Sequence, residues 1–279
     1  MTAPALLLAS PRAVVFHGRW QDVLPLIQQA KRPIDVTITD PPYSPRVQAN
    51  IRSLDCHGPR PVAREWHPEF APLSNLDHVP AFLAATRRWV LCFCDLESFG
   101  LYRDAAGGQR TSKATLLPDG TRVPANVDGG YVRSWVWRKQ NAAPQLSGDR
   151  PANSCEGIAV MHPPGKPHWN GHGAHAWTNL APGGEAFPDD GGPVDNACEF
   201  GRDRHEKRHA AQKPALLCEH LVSKFSDPGE CVADWYCGSG AISAAALMLG
   251  RTTIACDEDR VWAEFTAVRL RAVIEGWAS

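Results

Sequence analysis

The chain is predicted to be an α/β protein: a mostly parallel sheet with helices on both faces, plus a loop-rich insertion. Three observations predict it. Short apolar, β-branched runs alternate with amphipathic stretches of helical spacing toward both ends of the sequence. Two of those runs stop at an acid: Val36-Thr37-Ile38-Thr39 at Asp40-Pro41-Pro42, and Cys231-Val232-Ala233 at Asp234, just ahead of a glycine-rich turn. Between them, residues 162–212 shift to Gly, Pro, His and Asp, which is turn chemistry.

With 279 residues, 43% of them hydrophobic, the chain can bury one large core or form one domain carrying an insertion. A net charge of −1 excludes a global basic field, so any nucleic-acid surface must come from local patches. Nine cysteines occur without a CxxC pair, the closest spacing being Cys92-x-Cys94. The odd count and the lack of a signal-like start predict reduced thiols and a cytoplasmic protein. No run approaches a membrane span, so no membrane partner is expected.

In order, residues 1–10 read as a loose terminus and Ala13–Phe16 as a short strand. Val23, Leu24, Leu26 and Ile27 suit a helix, with Asp22 placed as its N-cap. The run before Asp40 is a buried strand. Pro41 and Pro42 cannot donate to a sheet ladder and hold the chain extended beyond it. An acid, open carbonyls and the ring of Tyr43 are thereby left at the carboxyl edge of the sheet, where ligands bind in open α/β folds. Residues 44–78 lack periodicity and carry Arg46, Arg52, Arg60 and Arg64. They are read as a long loop over the pocket or as a solvated surface loop.

Val79, Phe82 and Leu83 are spaced for one helical face over 78–88. Arg88–Asp95 is a buried strand with Cys92 and Cys94 on one face, read as core in preference to metal ligands. A weak helix and a Gly/Pro/Asp loop follow over 100–130, and then two strands, 131–139 and 156–161. His162, His168, His172 and His175 lie in turn-rich sequence. They are read as polar contacts to nucleic acid, with Trp169 or Trp177 available for stacking and metal binding as the lesser alternative. Arg202, Arg204, Lys207 and Arg208 form a basic run suited to phosphate contact or to a solvated face.

Lys213-Pro214 opens an amphipathic helix with Leu216, Leu217, Leu221, Val222 and Phe225. The 231–234 strand, the Gly238-Ser239-Gly240 turn, a helix to Leu249 and a second strand ending at Asp257 make a nucleotide-type half-fold. Glycines let the backbone approach a ligand, the helix N-terminus suits a carboxylate, and Asp257 is placed to accept from ribose hydroxyls. A last helix is read with Val261, Trp262, Phe265, Val268, Leu270 and Ile274 on its apolar side. A nicotinamide-dependent oxidoreductase is the rival from this pattern, but Ser243 stands where a dinucleotide fingerprint carries its third glycine.

Asp40-Pro41-Pro42-Tyr43 resembles the Asp-Pro-Pro-Tyr motif of the amino-group DNA methyltransferases, which modify adenine N6 or cytosine N4. Asp234-Trp235-Tyr236-Cys237-Gly238-Ser239-Gly240 resembles their donor motif Asp-Pro-Phe-x-Gly-Ser-Gly-Thr-Thr, and Lys213-Pro214 their lysine-proline opening. The motif order is that of the β arrangement, and phrases within 140–212 resemble phage-associated members. The resemblance implies a Rossmann-like domain built from residues 1–139 and 213–279, with 140–212 as target-recognition region. It implies S-adenosylmethionine as donor, held by Asp234, Tyr236, Cys237, Gly238, Ser239, Gly240, Asp257 and Lys213. It also implies double-stranded DNA as partner, in the setting of restriction-modification, and it admits a homodimer.

Asp40 and the Pro41 carbonyl would each accept one N–H of the target amine, freeing the nitrogen lone pair to attack a methyl group. Tyr43 would stack the flipped base. Asp in the first position of the motif favours adenine N6, with cytosine N4 as the alternative. Trp235 replaces the motif's Pro, and Ala241-Ile242 replace its Thr pair. Those contacts would move to Ser239 or Ser243, or be lost in a degenerate homologue that only binds DNA. Asp40 and Asp234 must then stand on neighbouring strands at the reversal point of one sheet.

Overall fold

The computed structural model describes residues 3–42, 76–138, 155–170, 177–178 and 212–276. In chain order these form β1 (Ala5–Ala9), β2 (Ala13–His17), α1 (Trp20–Gln29), β3 (Val36–Thr39), α2 (His78–Ala85), β4 (Val90–Cys94), a 3-10 turn (Leu96–Ser98) and α3 (Phe99–Ala105). There follow β5 (Thr115–Leu116), β6 (Arg122–Val123), β7 (Tyr131–Arg138), β8 (Cys155–Met161), β9 (Trp177–Thr178), α4 (Ala215–Phe225), β10 (Cys231–Asp234), α5 (Ala241–Met248), β11 (Thr252–Asp257) and α6 (Arg260–Gly276). The expected fold class is the observed one.

Nine strands make one sheet in the order β1-β2-β11-β10-β3-β4-β8-β7-β9. The centre, β2-β11-β10-β3-β4, is parallel, while β1 on one side and β8 on the other run antiparallel to it; β7 pairs antiparallel with β8, so β7 and β9 run in the direction of the centre. Chain order runs outward in opposite directions from the β10–β3 pair, so the reversal point lies between these two strands. Parallel strands covered on both faces need apolar side chains on both. Accordingly Cys92 and Cys94 enter the layer with Val23, Ile27, Val79, Phe82 and Tyr102 from α1, α2 and α3. Leu91 and Phe93 enter the opposite layer with Leu217, Leu221 and Phe225 from α4 and Ile242 and Ala246 from α5. A third cluster joins Leu8, Val15, Leu247, Ala267 and Leu270, so the first strands and the last helix share packing.

Several expectations are corrected. Residues 5–9 are no loose terminus: β1 pairs with β2 as an edge strand, Leu8 entering the core while Leu6 stays outside. Asp22 is no N-cap. The helix starts at Trp20 after Arg19, and Asp22 in its first turn forms an exposed pair with Arg19 at 3.4 Å. The stretch read as loop over 100–130 contains the β5–β6 hairpin, turned at Asp119-Gly120. The last helix buries Ala263, Thr266, Ala267 and Leu270, leaving Val261 and Val268 exposed. Small residues win this face because the helix lies close to the Gly238–Gly240 turn, as the contacts of Thr266 below show. No helix among the described residues is long and apolar enough to cross a membrane.

Candidate active site at the β3 and β10 strand ends

β3 and β10 pair in parallel through Val36–Val232 and Thr37–Ala233, which sets Asp234 level with Ile38. The chain leaving β3 and the chain leaving β10 therefore emerge side by side at one edge, as the resemblance required. A single hydroxyl ties them. Thr39 Oγ1 donates to Asp234 Oδ1 at 2.9 Å and accepts from the backbone N–H groups of Trp235 (3.1 Å) and Tyr236 (3.2 Å). Asp234 is almost wholly enclosed, and burial pushes its carboxyl up to about 8, against the pull of the Thr39 bond and the Tyr236 N–H.

The turn after β10 is held through its backbone groups by side chains of β11 and α6. Gly238 N donates to Asp257 Oδ2 at 2.8 Å, and Asp259 N donates to Asp257 Oδ1 at 2.9 Å. Burial raises the Asp257 carboxyl to about 6, and those two N–H bonds partly offset it. Thr266 Oγ1 donates to the Gly238 carbonyl (2.8 Å), and Arg269 donates to the Ser239 carbonyl (3.0 Å). Gly240 has φ 71°, the left-handed region, and a Cβ there would lie 2.7 Å from Thr266 Oγ1. Both the conformation and the close approach of α6 require glycine at 240. At Gly238, φ 46°, no atom of the described residues would lie within 4 Å of a Cβ.

Ser243 is fully buried, its hydroxyl accepting from Thr253 Oγ1 at 3.1 Å. An enclosed hydroxyl presents no surface to a ligand, which corrects the expectation that it replaces a lost threonine contact. Cys237 is buried, its thiol held far above the usual range by burial, and its N–H donates to the Cys256 carbonyl. The departures from the donor motif are absorbed by packing. Trp235 stacks on Phe82 (5.6 Å, interplanar angle 21°), and Ile242 joins the α4–α5 layer.

At the β3 exit, Asp40 is partly exposed and Pro41 is buried. Lys213, expected beside the donor turn, instead sends Nζ to Asp40 Oδ2 at 2.7 Å, to Glu156 Oε2 at 3.1 Å, and over the Phe93 ring at 4.7 Å. Burial opposes the lysine's charge, but the attraction of Asp40, then of Glu156, outweighs it and its pKa lies above the usual lysine value. Removing one partner of so enclosed a charge cluster costs on the order of 3–5 kcal/mol.

Glu156 was missed in the sequence. It opens β8, which runs antiparallel to β4, so its start lies at the carboxyl edge of β4. The available signal was an acid at the mouth of an otherwise apolar strand. Tyr43, the arginines of 44–75, the loop at 144–152, His172, His175 and the basic run at 202–208 lie outside the described residues.

His162 and Trp169 have structural places. His162 packs edge-on against Trp89 at 4.8 Å. Trp169 is partly buried and packs against Trp135 and Phe225, both at 6.3 Å. The His168 carbonyl accepts from Trp89 Nε1 at 2.6 Å.

A mixed sheet with a glycine turn and an acid-led turn on adjoining strand ends defines an α/β protein with a ligand site at its switch point. Comparison with known proteins specifies it further. The family model of the DNA methylases that act on N6 or N4 matches residues 125–267, just over half of the chain, and the chain belongs to that family. Glu156, Lys213 and the Gly238–Gly240 turn lie inside the matched span.

The Type II methyltransferase M.HinfI of Haemophilus influenzae is 25% identical over 164 residues, which is 54% of this chain and 42% of that protein. The chain thus matches less than half the length of that curated relative. The M1.HpyAVI–SAM complex has a similar fold, with TM-score 0.58 and 17% identity over 92% of this chain and 98% of that one. The cytosine-N4-specific PvuII DNA methyltransferase has TM-score 0.52 and 11% identity, covering 97% and 93% of the two chains.

Proposed function

We propose that this protein transfers a methyl group from S-adenosylmethionine to an exocyclic amine of a flipped base in double-stranded DNA, with adenine N6 as the target. One observation carries the reading: Asp40 and the glycine turn leave adjoining strands at the same edge, within the reach of one hydroxyl, Thr39. The turn fits a donor of this kind. No described residue crowds Gly238, α5 begins at Ala241 directly behind Gly240, and Asp257 ends the next strand beside it.

The donor supplies an electrophilic methyl carbon on a sulfonium sulfur, and the bond pair returns to sulfur on transfer. The chain's own residues do the rest. Asp40 and the Pro41 carbonyl accept the two N–H groups of the amine, which draws its nitrogen toward a tetrahedral form with an available lone pair. Asp40 is also positioned to take the proton that the alkylated nitrogen sheds. Residues 1–139 and 213–279 supply this site as one domain, with 140–212 reading the target, and Tyr43 provides the stacking face. Asp rather than Ser at position 40 supports adenine. The same pair of acceptors suits the cytosine amine equally well, so the base must be identified directly.

Purified protein incubated with S-adenosylmethionine and unmethylated genomic DNA, followed by mass spectrometry of the nucleosides, is expected to yield N6-methyladenine. N4-methylcytosine alone moves the assignment to cytosine. Saturable donor binding with neither product identifies a DNA-binding homologue that has lost the reaction.

A further inference from the structure

Asp40 has to serve the amine as an acceptor, yet in this structure Oδ2 already has an ammonium at 2.7 Å. An ammonium left there would repel the nitrogen that becomes cationic as the methyl arrives. Lys213 is 7% exposed and cannot escape into water. A second carboxylate, Glu156, is already within 3.1 Å of the same Nζ, and the Phe93 ring lies 4.7 Å from it. Two carboxylates and one ammonium leave the cluster with one net negative charge, which favours a developing cation nearby.

We propose that Lys213 and Glu156 are positioning residues for Asp40: Lys213 holds Oδ2 of Asp40 in place until the target amine arrives, and Glu156 then receives the displaced ammonium. This rests on the reading of Asp40 as acceptor for the amine. Glu156 keeps Lys213 inside the pocket without letting it compete with the substrate, and Lys213 keeps two neighbouring carboxylates ionised together.

Other titratable groups face the cluster. Cys92 and Cys94 from β4, Tyr102 from α3 and Cys218 from α4 are held neutral by burial. Asp234 from β10 is pushed up to about 8 by burial, with a smaller push from the Asp40 charge, so it is present in every variant below and follows Asp40.

The test compares pH–rate profiles of methyl transfer to unmethylated genomic DNA, and melting temperatures from pH 5 to 9, for wild type, Lys213→Met, Glu156→Gln and the double variant. In Lys213→Met the two carboxylates lose the ammonium between them and share a proton, so the acid limb should rise by about one pH unit or more. Its stability should fall as pH rises toward that raised pKa and level off above it, because the folded state keeps a proton that the unfolded chain gives up. The double variant removes the repulsion between the carboxylates, so its limb should fall between those of Lys213→Met and wild type, with a smaller added slope in melting temperature.

Glu156→Gln should move the acid limb to lower pH and cut kcat about tenfold, with donor affinity unchanged, because the ammonium then stays on Asp40. A Lys213→Met limb that coincides with wild type, or a double variant no different from the single, overturns the proposal. If Lys213→Met fails to fold, Glu156→Gln decides: an unmoved limb and undiminished kcat overturn it. Wild type that melts normally but methylates no DNA overturns the reading of Asp40 and the two roles with it. The melting profiles then still report whether the charges are coupled.

Discussion

Two aspartates at neighbouring strand ends, Asp40 and Asp234, share a sheet edge and a bridging threonine environment, and they have opposite electrostatic fates. Asp40 stands just past β3, a fifth exposed, with its charge matched by Lys213 at 2.7 Å. Asp234 is the last residue of β10, 1% exposed, and no ion pair among the described residues reaches it. Burial without a cation pushes it up to about 8, so near neutral pH it is mostly a protonated acid held by Thr39. Identical side chains less than one turn of chain apart in register are thus a charged acceptor and a neutral strut. The cation decides which is which, not the residue type.

The same substitution at the two positions breaks the comparison most sharply. Asp40→Asn exchanges a charged acceptor for an amide that can turn its oxygen to the Lys213 ammonium, leaving an NH2 donor where the target amine needs an acceptor. Methyl transfer should fall roughly a hundred- to ten-thousand-fold, the range for losing a positioned proton acceptor. Donor affinity measured by calorimetry should stay within about threefold, because the contacts of the glycine turn are untouched. Turnover close to wild type would remove Asp40 from the chemistry.

Thr39→Val tests the bridge between the strands. Valine matches the shape but strips the Asp234 carboxyl and two backbone N–H groups of their shared partner. Leaving buried polar groups unmet costs on the order of 2–4 kcal/mol. The loss should appear as a lower denaturation midpoint together with weaker donor binding, since Trp235 and Tyr236 lead into the turn. Stability lost without any change in donor binding would mean that the bridge supports the sheet alone.

Much of this site could be read in the sequence because its markers are local. A β-branched run stopped by two prolines, and a strand with glycines behind it, each announce a strand end by backbone chemistry that packing cannot override. Adjacency of the two ends also followed, because the motifs need one pocket and a reversal point supplies it. What escaped depended on partners distant in sequence. Lys213 is 173 positions from Asp40 along the chain, and nothing near it marks which acid it will meet. Glu156 looked like the polar edge of an apolar strand. The packing of Trp169 against Trp135 and Phe225 was likewise hidden, because its sequence neighbours are turn formers. The last helix was read by residue hydrophobicity. Its core face is set by how closely it approaches Gly240, and that selects Ala263, Thr266 and Ala267 over Val261 and Val268.

The mildest expected effect is Asp234→Asn, and it sharpens the contrast by its pH dependence. An acid whose folded pKa lies above its unfolded value of about 3.9 contributes stability at low pH and loses it as pH climbs through the folded value, about 8 here. Asparagine keeps the shape and the acceptor for Thr39 but has nothing to ionise. Near pH 4 the variant should melt within a few degrees of wild type. From pH 4 to 8 the wild type should lose melting temperature relative to the variant and level off above, because over that range the folded protein keeps a proton that the unfolded chain gives up. Methyl transfer by the variant should fall less than that of Asp40→Asn, and any loss should appear as weaker donor binding, since Asp234 is among the residues expected to hold the donor. Parallel melting curves across this range would mean that Asp234 is ionised in the folded protein, and the two aspartates would then differ in position but not in charge.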